Sequence, residues 1–298
     1  MSITGELLAS HPVQIPSVGT RTVGAGSVSW KIHSEVVLLL GWGRALLLLL
    51  SHPLIAQGVA DHSSFLIQSQ GRLRRLYRTL DAMLSLTFGP DEQAEQVVRR
   101  INAIHDRVHG QLQESTGDLS AGTRYSAHDP ALLCWVHATL LDSFLLTYES
   151  YVGLLSPEEK DRYCAEASSI EPLLGIPAGS LPRNVTELHG YMERMLASGE
   201  ITVTETTRAL ARAVAFIDIP RVFQPLFWLV QLPTVGFLPP LIREEYRFPW
   251  GRHREGALRL SSRLIRALLP LAPSILRYWP KARAAMHQAE AKKGQVSR

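Results

Sequence analysis

The chain has 298 residues, of which 46% are hydrophobic and 19% charged, with a net charge of +4. Such a composition excludes wholesale disorder and supplies enough apolar material for one large core. Cys134 and Cys164 are the only cysteines. Lacking CxxC or CxxCH spacing, they exclude a disulfide framework, a zinc ribbon and covalent c-type haem attachment, and they suit a reducing compartment.

Residues 1–27, rich in Gly, Ser, Thr and Pro, read as an extended surface segment. They carry no charged-then-apolar export pattern, so the expected location is cytoplasmic. Val28 to Ala60 is the most apolar region. Gly41, Gly43, Arg44, Ser51, His52 and Pro53 interrupt it before about 18 clean apolar residues accumulate, and Arg44 would be expensive in lipid. The stretch therefore reads as two buried helices broken near His52-Pro53, with Arg44 needing a buried anion. Membrane contact is not the expected reading.

Ser63 to Phe88 is amphipathic, with Arg72, Arg74, Arg75 and Arg78 opposing Leu73, Leu76, Leu80 and Leu84. Without an aromatic platform these arginines form a solvated face, and no nucleic acid is expected as a partner. Gly89-Pro90-Asp91 ends the element. Glu92 to Gln113 reads as a helix whose His105 and His109, four apart, share one face in the spacing of a metal pair. No HExxH glutamate and no third ligand accompany them, so the zinc signal is weak. Glu114 to Tyr125 reads as a loop.

His128 to Tyr151 is the centre of the pattern. Asp129 suits the N-cap and Pro130 the first helical position, where its missing N–H costs nothing. Leu133, Leu140, Leu141, Phe144 and Tyr148 recur at helical spacing, and His137 sits on the same face. An imidazole there is either a core residue hydrogen-bonded to a neighbour or a ligand for something buried; composition alone favours the core residue.

Ser156-Pro157-Glu158-Glu159 is a capped helix start, with acids in the first turn, running to about Ser169. A turn over Gly175 to Pro182 precedes helices over 186–196 and 204–216. Phe223 to Leu238 reads as a short apolar helix, and Leu258 to Leu269 as an Arg/Leu amphipathic one. Pro270, Pro273 and Pro280 are expected to break up the end. From Leu241 onward thirteen Lys/Arg face four acids, a charge excess compatible with haem propionates, a membrane surface or a solvated tail. The expected organisation is one all-α domain over 28–283 followed by a basic tail, 284–298. No GxGxxG, P-loop, GxSxG or HExxH is present, and the Glu-x-x-His set of ferritin-like proteins is missing.

Six pieces in order carry a resemblance: GRALLLLLSHPLIAQGVADHS, INAIHDRVHG, YSAHDPALLCWVHATLLDSFL, LSPEEKDRYCAE, LLGIP with LP shortly after, and LPPLIREEYRFPW. Together they resemble the haem-dependent oxygenase domain shared by rubber oxygenase (latex-clearing protein) and the oxygenase of mycophenolic acid biosynthesis. The resemblance implies a helical fold with a globin-like core around haem b, with His137, from the WVH piece, as the proximal iron ligand. It implies O₂ and a hydrophobic small molecule as partners, oxidised by an oxygenase through double-bond cleavage. His105, Arg124 and Tyr125 become candidates for the catalytic pocket, and Arg44, His52 and Trp135 for haem contact. NAIHDRVHG has no Arg-x-x-Lys-Thr cluster of the rubber oxygenase kind, and Ser126 stands where many relatives have Arg; polyisoprene is therefore not the expected substrate. Two other classes remain open: a non-catalytic haem sensor or carrier with His105 opposite His137, and a haem-free helical lipid or small-molecule binder.

Overall fold

A computed structural model describes residues 23–62, 69–215 and 224–296. Most of the expected N-terminal segment, the first residues of the expected 63–88 helix and Phe223 lie outside them. The described residues are all-α apart from one short ribbon. In chain order the first helices are α1 (Val28–His33), α2 (Leu39–Leu50), α3 (Pro53–His62), α4 (Ser69–Phe88) and α5 (Asp91–His105). Strands β1 (His109–Gln111) and β2 (Arg124–Ser126) form the ribbon, Gly110 opposite Tyr125. Then come α6 (Pro130–Tyr151), α7 (Pro157–Ala167), α8 (Glu171–Leu174), α9 (Val185–Ala197), α10 (Glu205–Ala215) and α11 (Gln224–Gly236). The chain closes with α12 (Pro240–Glu245), α13 (Arg252–Leu268), α14 (Ser274–Arg277) and α15 (Pro280–Val296).

Two apolar helices, α2 and α6, lie against each other at the centre, with α11 and α10 on α2 and α13, α9 and α1 on α6. α6 is long and apolar enough to cross a membrane, but two-thirds of its apolar window is buried among neighbours. Its buried residues run round the whole circumference, from Leu132 and Trp135 to Phe144 and Tyr151. That is the pattern of a helix surrounded by protein. Asp129 Oδ1 accepts the Ala131 N–H at 2.9 Å and Pro130 opens the helix. At α7 the Ser156 hydroxyl accepts from Glu159 N while Glu159 Oε2 accepts from Ser156 N. Both N-termini follow from local sequence.

The glycines of the Gly41-Trp42-Gly43 stretch have a packing reason. A Cβ at Gly41 would collide with Thr147 of α6, and one at Gly43 with Thr234 of α11. Hydrogen at these two positions lets α2 approach both neighbours at close range. Arg44 finds its anion in Asp142, at 2.6 Å, and also donates to Ser143 Oγ and the Phe237 carbonyl, each at 2.7 Å. The break at His52-Pro53 is a bend of 104° between Val36–Leu50 and α3.

Three expectations are corrected. Helix α5 stops at His105, and His109 begins β1, so the two imidazoles do not share a helical face. The cause is ribbon pairing: Leu112 N donates to Thr123 O and Ala127 N to Val108 O, drawing 108–112 out of helix. The expected loop to Tyr125 accordingly ends in β2. At the other end, Pro280 starts a helix where a break-up was expected, as a proline does at a first turn. That helix, α15, continues to Val296 through the expected tail, with Ala282 and Ala285 packed in the main core.

Candidate functional site

The polar residues around His137 come from three distant segments. α1 is held at its N-terminus by Glu166 of α7, whose carboxylate accepts the Ser29 N–H at 2.7 Å and the Val28 N–H at 3.1 Å. Trp30 Nε1 donates to the Thr87 carbonyl at 2.9 Å, fixing α1 against α4. In the last turn of α1, His33 reaches inward. Its Nδ1 lies 2.9 Å from Thr87 Oγ1 and its Nε2 2.8 Å from the Tyr163 hydroxyl. The Thr87 hydroxyl already donates to the Met83 carbonyl, so it accepts from His33 Nδ1–H. Nε2 is then the acceptor, and Tyr163 donates to it. Burial, reinforced by the neighbouring His137, lowers the His33 pKa to about 4, which keeps this order of protons at neutral pH.

His137 has a different arrangement. Its Nε2 is closed off from solvent and has no hydrogen-bond partner. The backbone of Ala167, at the end of α7, lies against the ring. Burial lowers the pKa to about 4, against smaller opposing effects of Ala167 and the Glu171 carboxylate. The ring is therefore neutral at pH 7, with Nε2 unpartnered. The neutral imidazole is the form in which histidine ligates a metal. Both His33 and His137 lie deep enough for desolvation to dominate their ionisation, yet neither is sealed over its whole surface. Glu171 itself is spent locally: it accepts from Gly179 N and Leu181 N and pairs with Arg183 at 3.0 Å.

The other sequence candidates gather at the N-terminal end of α6. Tyr125 is buried, wedged where Gly58 of α3 and Gly110 of β1 leave room; a Cβ on either would press on its ring. Its hydroxyl donates to Asp61 Oδ2 at 2.6 Å, and burial and that carboxylate push its pKa up. Arg124 is exposed. With Tyr125, His109 and Asp129 it lines an open cleft of about 680 Å³. His105 packs its ring 5.6 Å from that of His128, whose Nε2 lies 2.7 Å from Asp106 Oδ1. Burial, then His128, lowers the His105 pKa, and its Nδ1 is buried without a partner. No cluster of three or more His, Cys, Asp or Glu among the described residues is arranged to hold a metal ion.

The three haem-contact candidates each have a protein partner. Arg44 is bound to Asp142. Trp135, fully buried, donates from Nε1 to the Leu48 carbonyl at 3.2 Å. His52 Nδ1 accepts the Leu54 N–H at 3.3 Å at the start of α3, with Glu200 3.8 Å from Nε2. Sequence reasoning missed His33, Glu166 and the Ala167 carbonyl. No local signal marks them, because their partners lie 30 to 138 residues away.

No curated protein and no solved structure matches the chain. The family described as ER-bound oxygenase mpaB/B′/rubber oxygenase, catalytic domain, matches over residues 30–267, a range running from within α1 into the last turn of α13 and containing His33, His105, Arg124, Tyr125 and His137. The chain belongs to this family of oxygenase catalytic domains.

Proposed function

We propose that the chain is a haem-b-dependent oxygenase that uses O₂ to oxidise a hydrophobic small molecule, with cleavage of a carbon–carbon double bond as the reaction class. The observation carrying this reading is the buried, unpartnered Nε2 of His137, with the ring turned by the Ala167 backbone. Among the described residues, a neutral imidazole with an unpartnered nitrogen in an apolar wall from α6 suits a His-ligated porphyrin. When bound, haem iron supplies the activation of O₂. The chain's own residues hold and shape the site. His137 would be the metal ligand, with the Ala167 backbone against its ring, and His33, kept neutral by burial, would stand beside it on Tyr163 and Thr87. Arg124 and Tyr125 would form the approach for substrate at the ribbon cleft, with His105 near it. Arg44, His52 and Trp135 support the cofactor at one remove, by fixing α2, α3 and α6. The free thiols of Cys134 and Cys164 are in keeping with a cytoplasmic setting.

The test is an absorption spectrum of protein reconstituted with haem, wild type beside His137→Ala. A Soret band in the first and its absence in the second is the expected result, with circular dichroism verifying that the variant folds. No Soret band in folded wild type ends the proposal. A haem carrier without turnover is the second reading, favoured by the buried, unpartnered Nδ1 of His105. It requires a six-coordinate spectrum that His105→Ala converts to five-coordinate, and no product from any alkene.

A further inference from the structure

α13 and the segment after it present an apolar face that the fold does not use. Residues 256–280 contain no Asp or Glu and include Arg259, Arg263, Arg266 and Arg277. Along α13 the side chains sort into three rows. Leu258 and Ser261 are buried against the bundle. Leu260, Leu264 and Leu268 repeat every four residues and point outward, a single stripe on a helix of 3.6 residues per turn. Arg259, Arg263 and Arg266 form the row beside that stripe. The chain then passes through a 3₁₀ turn over Leu269–Leu271 into α14, adding Leu271, Ile275 and Leu276 to the same succession. All six aliphatics are more than half exposed, from 52% at Leu264 to 79% at Leu271. Single exposed leucines are ordinary, but six in one stretch bordered by cations are the signature of an interaction surface.

We propose that the α13–α14 face docks on the surface of an anionic phospholipid bilayer. The arrangement is that of an interfacial helix: aliphatic side chains enter the boundary between headgroups and acyl chains while arginines at their flank meet lipid phosphates. Arg263 and Arg266 have no acidic partner among the described residues, so their charge is available. Arg277 is not, because Glu35 holds it at 2.6 Å. A second copy of the chain is a poorer occupant. A two-fold contact through this patch sets each arginine row against its own copy, with no carboxylate between residues 256 and 280 to offset it. The proposal rests on this surface alone and is independent of haem.

Flotation of the full chain with phosphatidylcholine vesicles, with and without phosphatidylserine, tests it. Binding is expected on the anionic vesicles and is expected to weaken with salt. Leu268→Asp/Leu271→Asp should lose vesicle binding while melting as wild type does, since both residues are exposed. Arg263→Glu/Arg266→Glu should reduce partitioning onto anionic vesicles by at least about thirtyfold, roughly fivefold per arginine removed. Three results overturn the proposal: no flotation of wild type, equal flotation of the leucine variant, or a dimer in light scattering that Leu268→Asp/Leu271→Asp dissolves.

Discussion

Helix α6 borders two polar regions that handle titratable groups in opposite ways. Around His137 the groups are neutral, deeply buried and ordered by one-way hydrogen bonds: Tyr163 to His33, His33 to Thr87, Thr87 to Met83. At the N-terminal end, Asp61, Asp106, Arg124 and His128 meet solvent around the ribbon, and only Tyr125 is buried. The first region is assembled from α1, α4, α6 and α7, the second from α3, the end of α5 and the ribbon beside it. Desolvation therefore controls chemistry at His137, whereas at the ribbon it acts on isolated side chains in a wet cleft. Under the proposed function, the first would fix a ligand's basicity and the second would admit substrate.

The largest test of this contrast is all-or-none. His137→Ala is expected to abolish the haem Soret band, whereas Tyr125→Phe is expected to leave it intact; equal loss in both variants would erase the distinction. Next in size is Glu166→Ala, which strands the Val28 and Ser29 N–H groups in the interior. Two such orphaned donors should cost about 3 kcal/mol, read as a lowered urea midpoint, and should disturb His33 without touching the ribbon. His52 sharpens the comparison through pH. Burial depresses its pKa to about 4, the nearby Asp129 opposing, while the unfolded chain titrates near about 6.5. The unfolded state thus binds more protons between those values, so stability is full above about pH 6.5 and falls as pH drops toward 4, by up to about 3 kcal/mol for this residue. Protonated Nδ1 also no longer accepts from Leu54. His52→Asn, which keeps an acceptor and removes the titration, should flatten the slope of denaturation midpoint against pH in that window. Smallest is Tyr125→Phe itself, which removes one hydrogen bond to a carboxylate and should cost about 1.5–2 kcal/mol, measured by thermal melting.

The helical architecture was legible wherever local chemistry determined it. Asp129-Pro130 and Ser156-Pro157-Glu158-Glu159 mark helix starts by their own side chains, and both helices begin where expected. His137 was visible as one base among aliphatics, and Arg44 as a cation in need of an anion, although its partner Asp142 could not be named before α2 and α6 were placed together. The His105–His109 spacing misled because helical periodicity continued past the point at which a long-range ribbon took over. The surroundings of His137 were illegible for the same reason: Ala167 contributes a backbone carbonyl, which no side-chain pattern encodes, and His33 looks like any histidine until α4 and α7 approach it. Gly41 and Gly43, read as interruptions, are contact points between helices.

The capping of α1 by a carboxylate 137 and 138 residues further along has a bearing on biosynthesis. A nascent chain emerging from the ribosome has no acceptor for those amides until α7 is made, and until the same moment no Ala167 carbonyl is there to orient the imidazole. Fragments ending before residue 166 should thus leave the N-terminal helix undocked. Under the proposed function, haem could be captured only after residue 167 has been made.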